Sequence, residues 1–329
     1  MDKNVFLSLL SLDSYNRIYG RRVKVDLREA GASRIGDALI QPGPLSNSAL
    51  LADWQSTGFY ASDYVIAADP KALGFSSGDK IISYRGTDKP SEDFWSYGIG
   101  AGDPYNIGFT NLLGNSYGDN VGLTVDFYRA VVGAGNEFLD GAATLTGHSL
   151  GGGMAGYIAA LYGQNGYLVD NMTFNTSVSR TFDDASNSPT LGSKEGQLKD
   201  LVYGSGTVVA PDYAGLTASA VTGELLSIAL PARFGQTPGV DYIDSNAGLP
   251  SNPVNLHSVA LHTLLLWADA EGKTDWISAG PQLWNYGDSC NIPLFKFMTK
   301  QGGLVELCNG SKDFCRVYEK SPYSPCNVA

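Results

Sequence analysis

The chain has 329 residues, 43% of them hydrophobic, with 22 basic against 33 acidic side chains and a formal net charge of −11. Its length suits one large α/β domain, or a core with a small appendage. The acidic balance argues against a nucleic-acid partner, because phosphate binding needs a basic field.

In chain order, residues 1–45 mix charge, glycine and proline, with an opening helix carrying Phe6, Leu7, Leu9 and Leu10. This N-terminal segment is either free or packed on the core. A catalytic domain follows over 46–280. The spacing of Leu50, Leu51, Trp54, Phe59 and Tyr60 predicts a helix over 48–62 leading into a strand at 64–68. A turn through Asp69-Pro70 and 76–79 returns the chain to an apolar run at 80–84, so the two runs are expected to pair as a hairpin. The stretch 88–120 is rich in Gly, Tyr, Ser and Asn without a period and reads as a long surface loop, a candidate wall or lid of a site. Leu123, Val125, Phe127, Tyr128 and Val131 predict a helix over 121–132.

The centre of the chain is Thr-Leu-Thr-Gly-His-Ser-Leu-Gly-Gly-Gly at 144–153. The pattern G-x-S-x-G occurs three times, around Ser76, Ser116 and Ser149, against a chance expectation of about 0.5 in a chain of this composition. Ser76 and Ser116 lie in turn-rich stretches. Only Ser149 follows an apolar strand (143–146) and precedes residues at helical spacing, the context of a nucleophile elbow. There the serine adopts a strained backbone, flanking glycines make room for it, and the helix N-terminus offers N–H groups to a developing oxyanion.

Beyond the elbow, 172–175 reads as the next parallel strand, and 199–203 or 207–210 as a further one, with a loop over 179–196. Alternating strands and helices around the elbow predict a mainly parallel central sheet flanked by helices, the α/β-hydrolase type.

A serine nucleophile needs a base, and the base needs an acid. The chain has three histidines. His148 is inside the elbow, its side chain expected to point away from the serine and to pack or hydrogen-bond locally. His262 falls within the helical run 259–267, where a satisfied core or surface histidine is the usual meaning. His257, on a loop just before that run, is the candidate base. The acid belongs between serine and histidine in chain order. Asp200, Asp212, Glu224, Asp241 and Asp244 are the candidates, of which Glu224 follows an apolar run and Gly223, and Asp212 follows Val208-Val209-Ala210-Pro211.

Tyr84-Arg85-Gly86-Thr87 after a strand, the Thr-Gly-His-Ser-Leu-Gly-Gly elbow and Phe174-Asn175 together resemble the class 3 lipases and the related bacterial phospholipase-A1-like lipases. Val221 to Ser227, followed by Leu256-His257-Ser258, resembles the bacterial branch, in which a glutamate after glycine replaces the usual aspartate. The likeness spans about residues 50–268. It implies the triad Ser149, His257 and Glu224, with Asp212 as the alternative acid. It also implies an oxyanion hole from Thr87 and the backbone N–H of Leu150. Arg85 is expected to form an ion pair under its loop with Asp88 or Glu92.

The resemblance implies a lipid ester as substrate, met at a membrane or lipid interface, with lipase and phospholipase A1 both open. An esterase of small soluble esters, or a non-catalytic module on a hydrolase fold, stands as the alternative. No apolar run reaches the roughly 18–20 residues of a membrane helix; the longest, 259–268, is interrupted by His262. No nucleic acid, metal or other cofactor is called for. All four cysteines (Cys290, Cys308, Cys315 and Cys326) lie in an appendage over 281–329 without a C-x-x-C pair. A disulfide-stapled tail fits an oxidising, secreted or extracytoplasmic location, although the N-terminus carries no signal-peptide pattern.

Overall fold

The computed structural model describes residues 2–15, 33–42, 59–68, 70, 74–86, 119–170, 214–223, 240–243 and 259–270. Helix α1 (Lys3–Ser14) starts at Asp2, whose carboxylate accepts the N–H groups of Asn4 and Val5 at 2.8 and 3.2 Å. That cap satisfies two of the amides a helix start leaves open. Every residue from Val5 to Ser14 is buried, so the serines need partners within the core. Ser11 donates to the Leu7 carbonyl and Ser14 to that of Ser11, while Ser8 bonds Thr263 and Ser11 bonds Thr146.

Eight described strands form one sheet in chain order. They are β1 (Arg34–Ile35), β2 (Ala38–Ile40), β3 (Ala61–Ile66), β4 (Lys80–Tyr84), β5 (Thr144–His148), β6 (Gly166–Val169), β7 (Leu216–Val221) and β8 (Val240–Ile243). The first three pairings are antiparallel. From β4 to β8 every pairing is parallel. The expected hairpin is present, with Ala61 opposite Tyr84 and Tyr64 opposite Ile81. The strand that pairs with β5 is β6, with Gly147 beside Leu168. The expected strands at 172–175, 199–203 and 207–210 and the tail lie outside the described residues, as do 48–58 and 88–118. The end of the helix expected over 48–62 is instead the start of β3 at Ala61, and the end of the loop expected over 88–120 is already helical from Asp119.

Side chains alternate between the two faces of a strand, and here the faces carry different chemistry. On one, helices α2 (Asp119–Val132) and α3 (Leu150–Tyr162) cover Ile82, Tyr84, Leu145, Leu168 and Ala218 in an apolar core. Tyr128 stacks on Tyr162 with centroids 4.7 Å apart, and Tyr84 meets Phe127 edge-on at 6.2 Å. Gly156 lets α3 lie close to the sheet, since a Cβ there would come 3.0 Å from Leu168 Cδ1. On the other face, α1 and α4 (Val259–Ala270) pack together. They meet alternate residues such as Thr146, Tyr167 and Ser219, so this half of the core is laced with buried hydroxyls. The result is a mixed, largely parallel sheet between helices, an α/β architecture. No described helix is long and apolar enough to cross a membrane.

Candidate active site

Ser149 joins β5 to α3 at φ 57°, ψ −124°, a conformation that costs a non-glycine residue roughly 1–3 kcal/mol. Its N–H donates to the Val169 carbonyl at 3.0 Å, and its carbonyl accepts from Gly153 N–H at 3.1 Å. The hydroxyl does not cap the helix. Three glycines make the bend possible by close approach. A Cβ on Gly147 would strike the Gly151 carbonyl and stand 2.8 Å from Gly152 N. One on Gly151 would strike the Tyr84 carbonyl and lie 2.7 Å from the Arg85 carbonyl carbon. One on Gly86 would lie 2.5 Å from both the His148 carbonyl and Tyr15 Oη, and 3.1 Å from Ser149 Cβ.

The chain leaving β4 therefore runs against the serine. Its Arg85 is buried, donates its backbone N–H to the Tyr60 carbonyl and holds its guanidinium 5.0 Å from the Tyr60 ring centre. Asp88 and Glu92, its expected partners, lie outside the described residues. Leu150 is the first residue of α3. Helix geometry leaves its N–H without an intrahelical partner, beside the serine.

Of the remaining expected site residues, Thr87, His257, Glu224 and Asp212 lie outside the described residues. So does Asp200, whereas Asp241 is a backbone member of β8 opposite Ser219. The described chain approaches Glu224 through a defined turn: β7 ends at Val221, Thr222 N–H donates to the Ile243 carbonyl, and Gly223 has φ 81°. No group of described residues is arranged to hold a metal ion.

The two other histidines belong to a buried polar network that the sequence did not reveal. Asp170 follows β6 with φ 40°, and its Oδ1 accepts Val221 N–H at 2.9 Å. Its Oδ2 is 2.8 Å from His262 Nδ1 and 3.9 Å from His148 Nε2. The His262 contact has ion-pair distance without hydrogen-bond alignment. His262 Nε2 in turn meets Ser219 Oγ at 2.6 Å, and Ser219 meets Tyr167 Oη at 2.6 Å. His148 Nδ1 lies 2.8 Å from Tyr15 Oη.

Ser219, His262 and Asp170 thus line up as a serine, a histidine and a carboxylate within the core. Each is at most 1% exposed. Ser219 lies within a strand whose parallel pairing occupies the nearby amides, and its hydroxyl is shared with Tyr167. A hydroxyl this deeply buried is closed to a substrate carbonyl among the described residues. The arrangement is that of a buried core network, while among the described serines Ser149 has the strained turn and the helix start. Asp170 is obscured in the sequence because the strand expected at 172–175 lies beyond the Gly-Tyr-Leu-Val run that forms β6. No protein-family model matches the chain, and no curated protein matches it as a relative.

Proposed function

We propose that the chain is a serine carboxylic-ester hydrolase of the α/β-hydrolase type, resembling class 3 and phospholipase-A1-like lipases, that acts on lipid esters. The observation that carries this reading is the backbone of Ser149, strained at φ 57° between β5 and α3 with Gly86, Gly147 and Gly151 closed around it. Such strain persists where a function uses it. The parallel strands β4 to β8 support the same reading, because that fold presents its nucleophile at the carboxyl end of a central parallel strand.

In the proposed reaction Ser149 Oγ attacks the ester carbonyl carbon while His257 takes the hydroxyl proton. Glu224 orients the imidazole and stabilises its cation. The N–H of Leu150 and the Thr87 end of the loop after β4 hold the oxyanion. Collapse of the tetrahedral intermediate expels the alcohol, which receives the proton from His257, and leaves an acyl-Ser149 ester. Water, deprotonated by His257, then releases the carboxylic acid and restores the serine. No cofactor takes part in this scheme.

Labelling with a fluorophosphonate tests the reading: the native protein is expected to be modified at Ser149, and Ser149→Ala to take up nothing. Absence of label on the native protein rejects a hydrolase. Product analysis on a phospholipid, a triacylglycerol and an acetate ester side by side then assigns the substrate class, with turnover of the acetate ester alone pointing to an esterase.

A further inference from the structure

We infer that Tyr15 is a positioning residue for the nucleophile, acting through His148; the inference rests on the hydrolase reading of Ser149. Tyr15 closes helix α1, 133 residues before the histidine it touches. Three observations converge on it. Its hydroxyl is 2.8 Å from His148 Nδ1, and both residues are buried. Its ring meets the imidazole edge-on, with centroids 5.7 Å apart and planes at 65°. The same hydroxyl bounds Gly86 on the loop after β4: a Cβ there would come 2.5 Å from it, as from the His148 carbonyl.

The far side of the imidazole faces Asp170, with Oδ2 3.9 Å from Nε2. A carboxylate on that side favours a proton on Nε2, which leaves Nδ1 as an acceptor for the Tyr15 hydroxyl. With its proton on Nε2, the imidazole is held from both ends. His148 immediately precedes Ser149, and its carbonyl forms the wall against which Gly86 packs. Tyr15 therefore fixes two things at once: the residue that carries the nucleophile, and the spacing between the nucleophile and the Arg85-Gly86 strand end. In the hydrolase reading that spacing separates Ser149 from the oxyanion donors. Donors aimed at a developing charge act in the transition state rather than in substrate binding, so the effect belongs in kcat.

The test is Tyr15→Phe, which keeps the ring and removes the hydroxyl. Fluorophosphonate titration counts competent sites, and kcat is expressed per site. The expected result is an unchanged site count, KM within about twofold and kcat per site lower by roughly tenfold or more. Normal kcat per site, whether or not the site count falls, overturns the inference, because a purely structural hydroxyl lowers the number of folded molecules and not their turnover. Failure of the native protein to label at Ser149 removes the hydrolase reading, and this inference with it, and is distinguished by needing no variant. Nitrogen-15 spectra of the native protein give a check independent of activity and of the variant's folding. With three histidines in the chain, His148 is expected as the Nε2–H tautomer with a hydrogen-bonded, unprotonated Nδ1. A protonated Nδ1 overturns the inference.

Discussion

Asp170 Oδ2 stands 2.8 Å from His262 Nδ1 in a pair that is fully buried on both sides. The carboxylate joins what the sequence separates widely: its other oxygen fastens the end of β7 at Val221 N–H, and His262 belongs to α4. A single side chain at the end of β6 thereby ties the neighbouring strand and a helix of the α1/α4 face to the edge of the sheet that carries Ser149.

Removing one member of such a pair leaves the other buried and uncompensated. Asp170→Ala and His262→Ala are each expected to lower the unfolding free energy by about 1–3 kcal/mol, the cost of leaving a buried polar group without its partner. The double variant is expected to lose less than the sum, because neither orphan remains. Asp170→Asn is the milder change, since its amide oxygen still accepts from Val221 N–H and asparagine tolerates the left-handed backbone. Urea unfolding of the four proteins checks the ordering. Activity separates the histidines: kcat per folded molecule survives His262→Ala and collapses in His257→Ala. Comparable losses per folded molecule would end the assignment of His257 as base.

The elbow was legible because its signals are local. An apolar strand, a serine between glycines and a helical run occupy one continuous stretch, and β5, Ser149 and α3 follow it within a residue or two. The same holds for the β3–β4 hairpin and for α2, whose Val125, Phe127 and Tyr128 are buried as their spacing requires. What escaped was the α1/α4 face. Helix α1 is buried on all sides, so it lacks the polar stripe that marks an amphipathic helix. Its serines satisfy one another and Thr146 or Thr263 across the core, which no spacing rule encodes. Strands β1, β2 and β8, of two to four residues, are too short for period to identify. Asp170 and Tyr15 were hidden for a related reason: each takes its role from partners on other elements.

The glycines around Ser149 yield a steric prediction. Gly147, Gly151 and Gly86 each face backbone atoms that cannot swing away as a side chain can. An alanine at any of the three is expected to cost at least about 1–3 kcal/mol through forced backbone shifts. The loss of turnover is expected to exceed what the remaining folded fraction explains. Gly163, with open space around it, provides the contrast despite φ 66°. Alanine there should cost about 1 kcal/mol of strain and leave kcat per site intact. Thermal unfolding paired with site titration separates the two classes, and a Gly151→Ala protein with native kcat per site would contradict the elbow geometry.

Asp63 supplies a pH-dependent prediction. It lies on β3, and burial raises its pKa from 3.8 to about 6, against the lowering effects of its backbone hydrogen bond and of Lys80. Lys80 holds its ammonium on the Val131 carbonyl at 2.9 Å, so its charge offsets the burial only in part. With the folded pKa above the unfolded one, the folded state binds the extra proton. This contribution to stability is full below about pH 4 and falls as pH rises through 6. Asp63→Asn cannot ionise. It is expected to be more stable than the native protein at pH 8, by no more than about 2 kcal/mol after allowance for partial exposure. The advantage should vanish near pH 4. Urea midpoints at pH 4, 6 and 8 measure it, and an advantage independent of pH would show that the titrating group is another.

The acid of the proposed triad is decided by comparing Glu224→Gln with Asp212→Asn. Strand β7 ends at Val221 on the same edge of the sheet as Ser149, since β5, β6 and β7 are parallel and their registers are continuous. The turn that follows is fixed at Thr222 by the Ile243 carbonyl and at Gly223 by a left-handed φ of 81°. A side chain at this position confers rigidity only if the turn does, and Gly223 is the residue whose replacement would alter it. Loss of the group that orients a catalytic imidazole lowers kcat by as much as about 10⁴-fold. Glu224→Gln is therefore expected to reduce kcat per site by several orders of magnitude with KM little changed. Gly223→Ala is expected to produce a smaller loss of the same kind, because strain at φ 81° displaces the turn. Asp212→Asn should stay within a few-fold of the native rate. A mild effect at Glu224 with collapse at Asp212 would transfer the role to the aspartate and leave the Gly223 turn as a feature of folding alone.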